Sequence, residues 1–149
     1  MKLFFDTCTV IDYLCNRQSA NYVEDILKNV EIKGWKCYIS VGSFYTLTYL
    51  IELHLKRNGY SEKEERIAKL REMLTNILST FSIANIFAED LLSSINNTDF
   101  TDLEDSYQYK AAINANCDYL ITININDFKD ANMKSLKIIT PKEFLSETK

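Results

Sequence analysis

The sequence predicts a three-layer α/β/α fold, with helices on both faces of a central parallel sheet of about five strands. Short apolar runs alternate along the chain with longer segments in which apolar residues recur every three or four positions. Such alternation is typical of parallel sheets, because consecutive parallel strands need a crossover connection, which is usually a helix. With 149 residues, 46% of them hydrophobic, we expect one compact domain that covers residues 1–149.

The predicted strands are short apolar or β-branched runs, and the predicted helices carry one apolar side. Turn residues separate them: Gly34 ends the second helix, and Asn58 with Gly59 ends the third. In chain order the elements are a strand at 3–6, helices at 7–14 and 19–33, a strand at 35–40, helices at 43–57 and from 61, a strand at 81–84, helices at 86–95 and 102–115, strands at 118–122 and 136–139, and a short helix after 140.

Three helix starts carry the pattern of a capping box, in which a Ser or Thr precedes a Glu three residues later. The pairs are Ser61 with Glu64, Thr101 with Glu104, and Thr140 with Glu143. The third start also has Pro141 at the first helical position, where proline is favoured. These pairs predict where the fourth, sixth and seventh helices begin.

Composition excludes several classes of protein. Four cysteines without a Cys-x-x-Cys pair and a single histidine, His54, argue against a structural zinc site and against a Ser-His-Asp triad. No Gly-rich phosphate loop is present, which argues against a nucleotide-dependent kinase or dehydrogenase. No apolar run approaches the ~20 residues of a membrane span, and Asp6 and Asp12 interrupt the stretch that a secretory signal needs. We therefore expect a cytoplasmic protein without membrane contact.

Acidic residues follow two predicted strands and cluster at the start of a helix. Asp6 ends the first strand, Asp127 follows the fourth across a short polar loop, and a cluster at 102–105 opens the sixth helix. Open α/β sheets hold their functional groups just beyond the carboxyl ends of the strands. Carboxylates that meet there repel one another unless a cation neutralises them, and Mg²⁺ or Mn²⁺ prefers such oxygen ligands. The sequence therefore predicts a carboxylate pocket for a divalent cation.

Each of these acids except Asp105 also has a purely structural explanation, and the sequence does not decide between that and a role in the site. Asp6 could be the N-cap of the helix that follows it. Glu104 could serve the capping box, and Asp102 lies where the helix dipole favours a negative charge. Asp127 could be a turn residue beside a buried anchor. Asp105 is not needed for capping, and it is therefore the best candidate metal ligand within the cluster.

Four segments resemble the motifs of a known family, the PIN-domain ribonucleases, which include VapC-type toxins. Residues 5–14 are similar to the family's Asp-Thr-Asn motif, which apolar residues and a second Asp follow. Residues 102–108 are similar to its Asp-Phe-Glu-Asp-Ala-x-Gln segment, residues 117–128 to its last strand and loop, and residues 138–145 to its usual end. The resemblance spans the whole chain, in the family's order.

The resemblance implies an endoribonuclease that hydrolyses RNA phosphodiester bonds with Mg²⁺ or Mn²⁺. By position it assigns catalytic roles to Asp6, Asp105, Asn124 and Asp127, metal ligation to Asp6 and Asp105, and supporting roles to Thr46, Asp102 and Glu104. It also implies the toxin of a toxin–antitoxin pair, with an antitoxin protein that blocks the pocket. Many relatives dimerise, so a homodimer is a further expectation.

Three positions depart from the family's pattern. Thr46 stands where the family often has Glu, Cys8 where it has Asn, and Ile123 where it frequently has Arg. The alternative is therefore a catalytically degenerate PIN-like module, which binds RNA or a protein partner without cleavage. A third interpretation is an aspartyl-phosphate protein with Asp6 as nucleophile, either a haloacid-dehalogenase-like phosphatase or a receiver domain. The phosphatase pattern needs a second acid two residues later, where Cys8 stands.

Overall fold

The computed structural model describes residues 1–128, 131 and 136–148, and its elements follow the predicted order. Within those residues no helix is both long enough and apolar enough to cross a membrane. The elements are β1 (Lys2–Phe5), α1 (Thr7–Leu14), α2 (Ala20–Lys33), β2 (Lys36–Ser40), α3 (Val41–Arg57), α4 (Lys63–Thr80), β3 (Phe81–Ala84), α5 (Ala88–Ile95), α6 (Leu103–Asn114), β4 (Tyr119–Ile121), a 3₁₀ helix (Ile125–Phe128), β5 (Lys137–Ile139) and α7 (Pro141–Glu147).

The five strands form one parallel sheet in the order β3-β2-β1-β4-β5. The chain moves outward from the central strand β1 through β2 to β3, and then returns to pair β4 with the other side of β1. Strand order therefore reverses between β1 and β4, where Phe5 pairs with Ile121. In open α/β sheets, ligands bind in the crevice beyond the carboxyl ends of the strands at such a switch point.

Side chains of each strand alternate between the two faces of the sheet, and each face has its own helical cover. Leu3 and Phe5 of β1 point to the face that packs against α1, α2, α3, α4 and α7. Phe4 points to the opposite face, which packs against α6 and the 3₁₀ helix. All three side chains are fully buried. The predicted three-layer α/β/α architecture is therefore confirmed.

The capping box at Thr140 is confirmed, whereas the one at Ser61 is wrong. The Thr140 side chain accepts from the Glu143 amide, and the Glu143 carboxylate accepts from the Thr140 amide at 3.0 Å. Helix α4 begins only at Lys63, and its N-cap, Glu62, makes no side-chain capping bond. The Glu62 carbonyl accepts the first helical bond, from the Arg66 amide, whereas the carbonyls of Tyr60 and Ser61 accept from the buried Arg66 guanidinium at 3.1 and 2.9 Å.

The capping box predicted between Thr101 and Glu104 is also wrong. Asp102 is the N-cap of α6, and its Oδ1 accepts from the Glu104 amide at 2.9 Å. Asp is at least as favourable an N-cap as Thr, so the start of the helix moves one residue along the chain. Glu104 therefore does not take the capping role that the sequence predicts for it.

Candidate active site

Asp6 lies directly after β1, at the carboxyl edge of the sheet beside β4. It occupies the N-cap position of α1, but its side chain makes no capping hydrogen bond, so capping does not explain this carboxylate. Only 4% of the residue is exposed. Its Oδ2 accepts hydrogen bonds from Thr122 Oγ1 and from Cys8 Sγ, both at 2.8 Å. Thr122 follows β4 as Asp6 follows β1, so the register of the two strands brings this pair together.

The charges of several acidic side chains act on one another at this edge. Burial raises the pKa of Asp6, and the charge of Asp127 raises it further. The pKa of Asp105, in the first turn of α6, rises to about 7, first through burial and then through the charges of Asp6, Asp102, Asp127 and Glu104. The end of β1, the start of α6 and the 3₁₀ helix therefore bring their acids within electrostatic reach of one another. The carboxylate pocket itself remains a prediction.

Glu104 faces the same region, although it is largely exposed. Burial, followed by the charges of Asp6 and Asp102, raises the pKa of its carboxyl group, and hydrogen bonds with Gln108 and Thr7 oppose that rise. The carboxylate thus points along α6 toward the sheet edge. Asp102, by contrast, uses its side chain to cap α6 and reaches the site only through its charge.

Thr46 and the segment after β4 lie at the margins of the site. Thr46 is half-buried on α3, in the wall of a hollow that Glu104 and Gln108 also line. The backbone N–H of Asn124 donates to Thr122 Oγ1 at 3.0 Å, and the backbone carbonyl of Asn124 accepts from the backbone N–H of Asp127 at 3.0 Å.

The segment after β4 is held in place by one buried aromatic side chain. Phe128 is fully buried against Phe100, with their ring centroids 5.8 Å apart. Asn124 and Asp127 are exposed, as a turn above a buried anchor would be, and only Asp127 has a charge that acts on the site.

Sequence reasoning missed a buried polar network below the carboxylates. Ser43 Oγ donates to Gln108 Oε1 at 2.9 Å and lies 2.7 Å from Thr7 Oγ1, and Gln108 Nε2 donates to Thr7 Oγ1 at 3.1 Å. Ser40, the last residue of β2, donates its hydroxyl to Ser43 Oγ at 3.0 Å. One signal was available: Ser40 ends β2 and Thr122 follows β4, the two strands that flank β1, so both residues lie at the same edge of the sheet as Asp6.

The donor set fits a hard divalent cation. Among residues 1–128, 131 and 136–148, no three or more acidic, cysteine or histidine side chains form a group that could hold a metal ion. Mg²⁺, however, is usually held by one or two carboxylates and several waters. Asp6 and Asp105 are oxygen donors whose ionised forms disfavour each other, and a bound cation would remove that penalty.

Comparison with known proteins gives two findings. A sequence profile of the PIN domain matches residues 2–126. The structure is similar to a chain in the crystal structure of VapBC2 from Rickettsia felis bound to a DNA fragment from their promoter, with a TM-score of 0.61 and 19% sequence identity. The similarity covers 94% of this chain and 98% of that chain, and at this identity it shows the fold alone. A comparison with curated proteins gives no match.

Proposed function

The chain belongs to the PIN-domain family, whose members are generally hydrolytic nucleases that use divalent metal ions, and from that premise we propose a metal-dependent endoribonuclease. It would act as one domain over residues 1–149 and hydrolyse RNA phosphodiester bonds with Mg²⁺ or Mn²⁺. What supports the proposal is that Asp6 directly follows β1 at the β1–β4 switch point, and that the charges of Asp6 and Asp127 raise the pKa of Asp105.

Asp6 and Asp105 are the proposed metal ligands. A bound divalent ion would lower the pKa of a coordinated water and would offset the negative charge of the phosphate. Thr122 and Cys8 hold the buried Asp6 carboxylate in one orientation through Oδ2. Asp105 lies in the first turn of α6, so the two carboxylates would hold the ion from separate elements.

The remaining acids and amides have supporting roles in this proposal. Asp127 and Asn124, on the exposed turn after β4, would orient water or the RNA backbone at the rim. Glu104 would supply the carboxylate that the family often places at Thr46, because both residues line one hollow and the Asp6 charge acts on Glu104. Asp102 would chiefly start α6, since its carboxylate is engaged with the Glu104 amide.

The proposed biological setting is that of a toxin with an antitoxin partner. The similar structure from Rickettsia felis is of VapBC2, and this supports a toxin–antitoxin context. An antitoxin protein, a homodimeric toxin and a cytoplasmic location are parts of the same proposal.

Metal binding and RNA cleavage by three variants test the proposal. Asp6→Asn and Asp105→Asn should each abolish Mg²⁺ or Mn²⁺ binding in calorimetry and lower RNA cleavage more than about 100-fold, which corresponds to ~2.7 kcal/mol of transition-state stabilisation. The matched control is Asp25→Asn, an exposed acid on α2 whose ion pair is with Lys28. It should bind metal and cleave as the wild type does.

One alternative function keeps a specific observation in its favour. Cys8, in the position of the family's Asn, and Thr122 both donate hydrogen bonds to Oδ2 of Asp6, so this oxygen is already engaged by the protein itself and is less open to a metal ion. A folded wild-type protein that binds no metal and leaves RNA intact would therefore be a PIN-like module that binds RNA or protein without cleavage. Cleavage by Asp105→Asn at the wild-type rate would instead refute the assignment of that ligand.

A further inference from the structure

A hollow beside the carboxylates carries features that the proposed chemistry does not use. We propose that it receives one unpaired nucleobase of the RNA, which stacks on the ring of Tyr45. This inference rests on the proposed function and adds to it a subsite that selects single-stranded RNA next to the cleaved bond.

The hollow lies between α3, α5 and α6 and has a volume of about 280 Å³. Its walls include the rings of Tyr45 and Tyr107 and the aliphatic side chains of Ile86 and Leu91. Gly42, which also lines the hollow, adds no side chain that would narrow it. Sites for drug-sized ligands begin at ~300 Å³, so this volume suits a single planar ring system.

The hollow is continuous with the carboxylate site. Glu104 and Gln108 both line it, and the Gln108 amide donates to Thr7 Oγ1, in the residue next to Asp6. A base in the hollow would therefore belong to a nucleotide whose phosphate lies near the proposed metal ligands.

Tyr45 has the properties of a stacking platform. It is 70% exposed, although it is a large aromatic residue at the wall of an apolar hollow. Proteins that read single-stranded RNA stack splayed-out bases on such rings, and every base offers a face for this contact. No lysine or arginine lines the hollow among the described residues, so stacking rather than charge would hold the nucleotide there.

Tyr49 is a matched control that the chain itself provides. It lies one turn further along α3 and is 66% exposed, but it borders a different depression, with Glu52 and Lys56. Substitutions at Tyr45 and Tyr49 therefore change the same residue type on the same helix at nearly equal exposure. A difference in RNA binding between the two sets of variants is therefore due to the hollow and not to the helix.

The first experiment places a fluorescent reporter at each tyrosine. Tyr45→Trp and Tyr49→Trp are each combined with Asp105→Asn, so that a short single-stranded RNA stays intact during titration. The natural Trp35 packs against Phe144 and serves as the common background. We expect RNA to quench the fluorescence of the residue 45 reporter and to leave the residue 49 reporter at the background level. Equal responses from both reporters would overturn the proposal.

The second experiment measures RNA affinity by fluorescence anisotropy, with RNA cleavage followed in parallel. Tyr45→Ala should weaken binding roughly 5- to 150-fold, whereas Tyr45→Phe, which keeps the ring, and Tyr49→Ala should bind as the parent protein does. If wild type cleaves RNA and Tyr45→Ala binds and cleaves it equally well, the subsite is refuted while the nuclease proposal stands. If Tyr45 governs RNA binding but no variant cleaves, the nuclease proposal fails and the subsite stands.

Discussion

Among single residues, Asp6 and Asp105 illustrate how position alone changes a carboxyl group. Asp6 is nearly inaccessible and is oriented by two donors, whereas Asp105 is half-buried and its pKa rises to about 7. Burial is the largest cause in both cases, and the charges of neighbouring acids add to it. The metal-free site is thus a region where ionisation opposes folding.

This opposition predicts that Asp105→Asn stabilises the metal-free protein above neutral pH. The pKa of Asp105 rises from its ordinary value of 3.8 to about 7 on folding, so between these values the folded state binds more protons than the unfolded state. The stability of the wild type therefore falls as pH rises through that range, and Asn removes this loss. Thermal unfolding in EDTA should give a difference that is small at about pH 4 and largest above about pH 7. A difference independent of pH would contradict the argument.

At the scale of helices and strands, local capping chemistry decides where several elements begin. Thr140, Pro141 and Glu143 start α7 as the sequence predicts, and hydrogen bonds from Thr140 lower the pKa of the Glu143 carboxyl group. The start of α6 shows competition between two adjacent caps, because Asp102 displaces Thr101. That one-residue shift matters for function, since it leaves the Glu104 carboxylate free to face the site.

We expect Thr140→Ala to lower the free energy of unfolding by about 1 kcal/mol, because the Glu143 amide loses its acceptor and the Glu143 carboxylate loses the hydrogen bond from the Thr140 hydroxyl. Thr140→Ser keeps the hydroxyl and should recover most of this loss. Urea denaturation of the three proteins measures the effect. Identical midpoints for wild type and Thr140→Ala would mean that the capping box contributes nothing to stability.

Across the whole molecule, the buried polar network joins elements from both faces of the sheet. Gln108 comes from α6, whereas Thr7 and Ser43 come from α1 and α3 on the opposite face. They meet at the carboxyl edge of the sheet, where Thr7 follows Asp6 and Ser43 lies three residues after the end of β2. The network therefore fixes the separation between Asp6, next to Thr7, and Asp105, one turn before Gln108.

Gln108→Met tests this connection, since methionine has a similar shape but cannot replace the amide. We expect the free energy of unfolding to fall by roughly 1–3 kcal/mol, because the buried hydroxyl groups of Thr7 and Ser43 lose partners. Gln18→Met, at an exposed position, should change it by less than about 0.5 kcal/mol. Equal stabilities of the two variants in urea denaturation would refute a structural role for the network.

The sequence determined the elements and their order, because periodicity and turn residues act within a few positions of one another. The alternation that predicted strands and helices, the end of α2 at Gly34 and the capping box at Thr140 all depend on such local geometry. The place of Asp6 after the first strand and the lack of a capping role for Asp105 made both candidate ligands, the resemblance to the PIN-domain family assigned them the metal, and their catalytic roles remain proposals.

Only the tertiary structure decided which segments meet. The strand order β3-β2-β1-β4-β5 brings Thr122 to Asp6 across 116 positions of sequence, and the packing of α6 brings Gln108 to Thr7 across 101. The hollow at Tyr45 likewise exists only where three helices leave a gap. Such contacts follow from the burial of whole faces of the sheet, which no local spacing encodes. The donors that orient Asp6 and the proposed base subsite therefore depend on the folded chain and could not be predicted from the sequence.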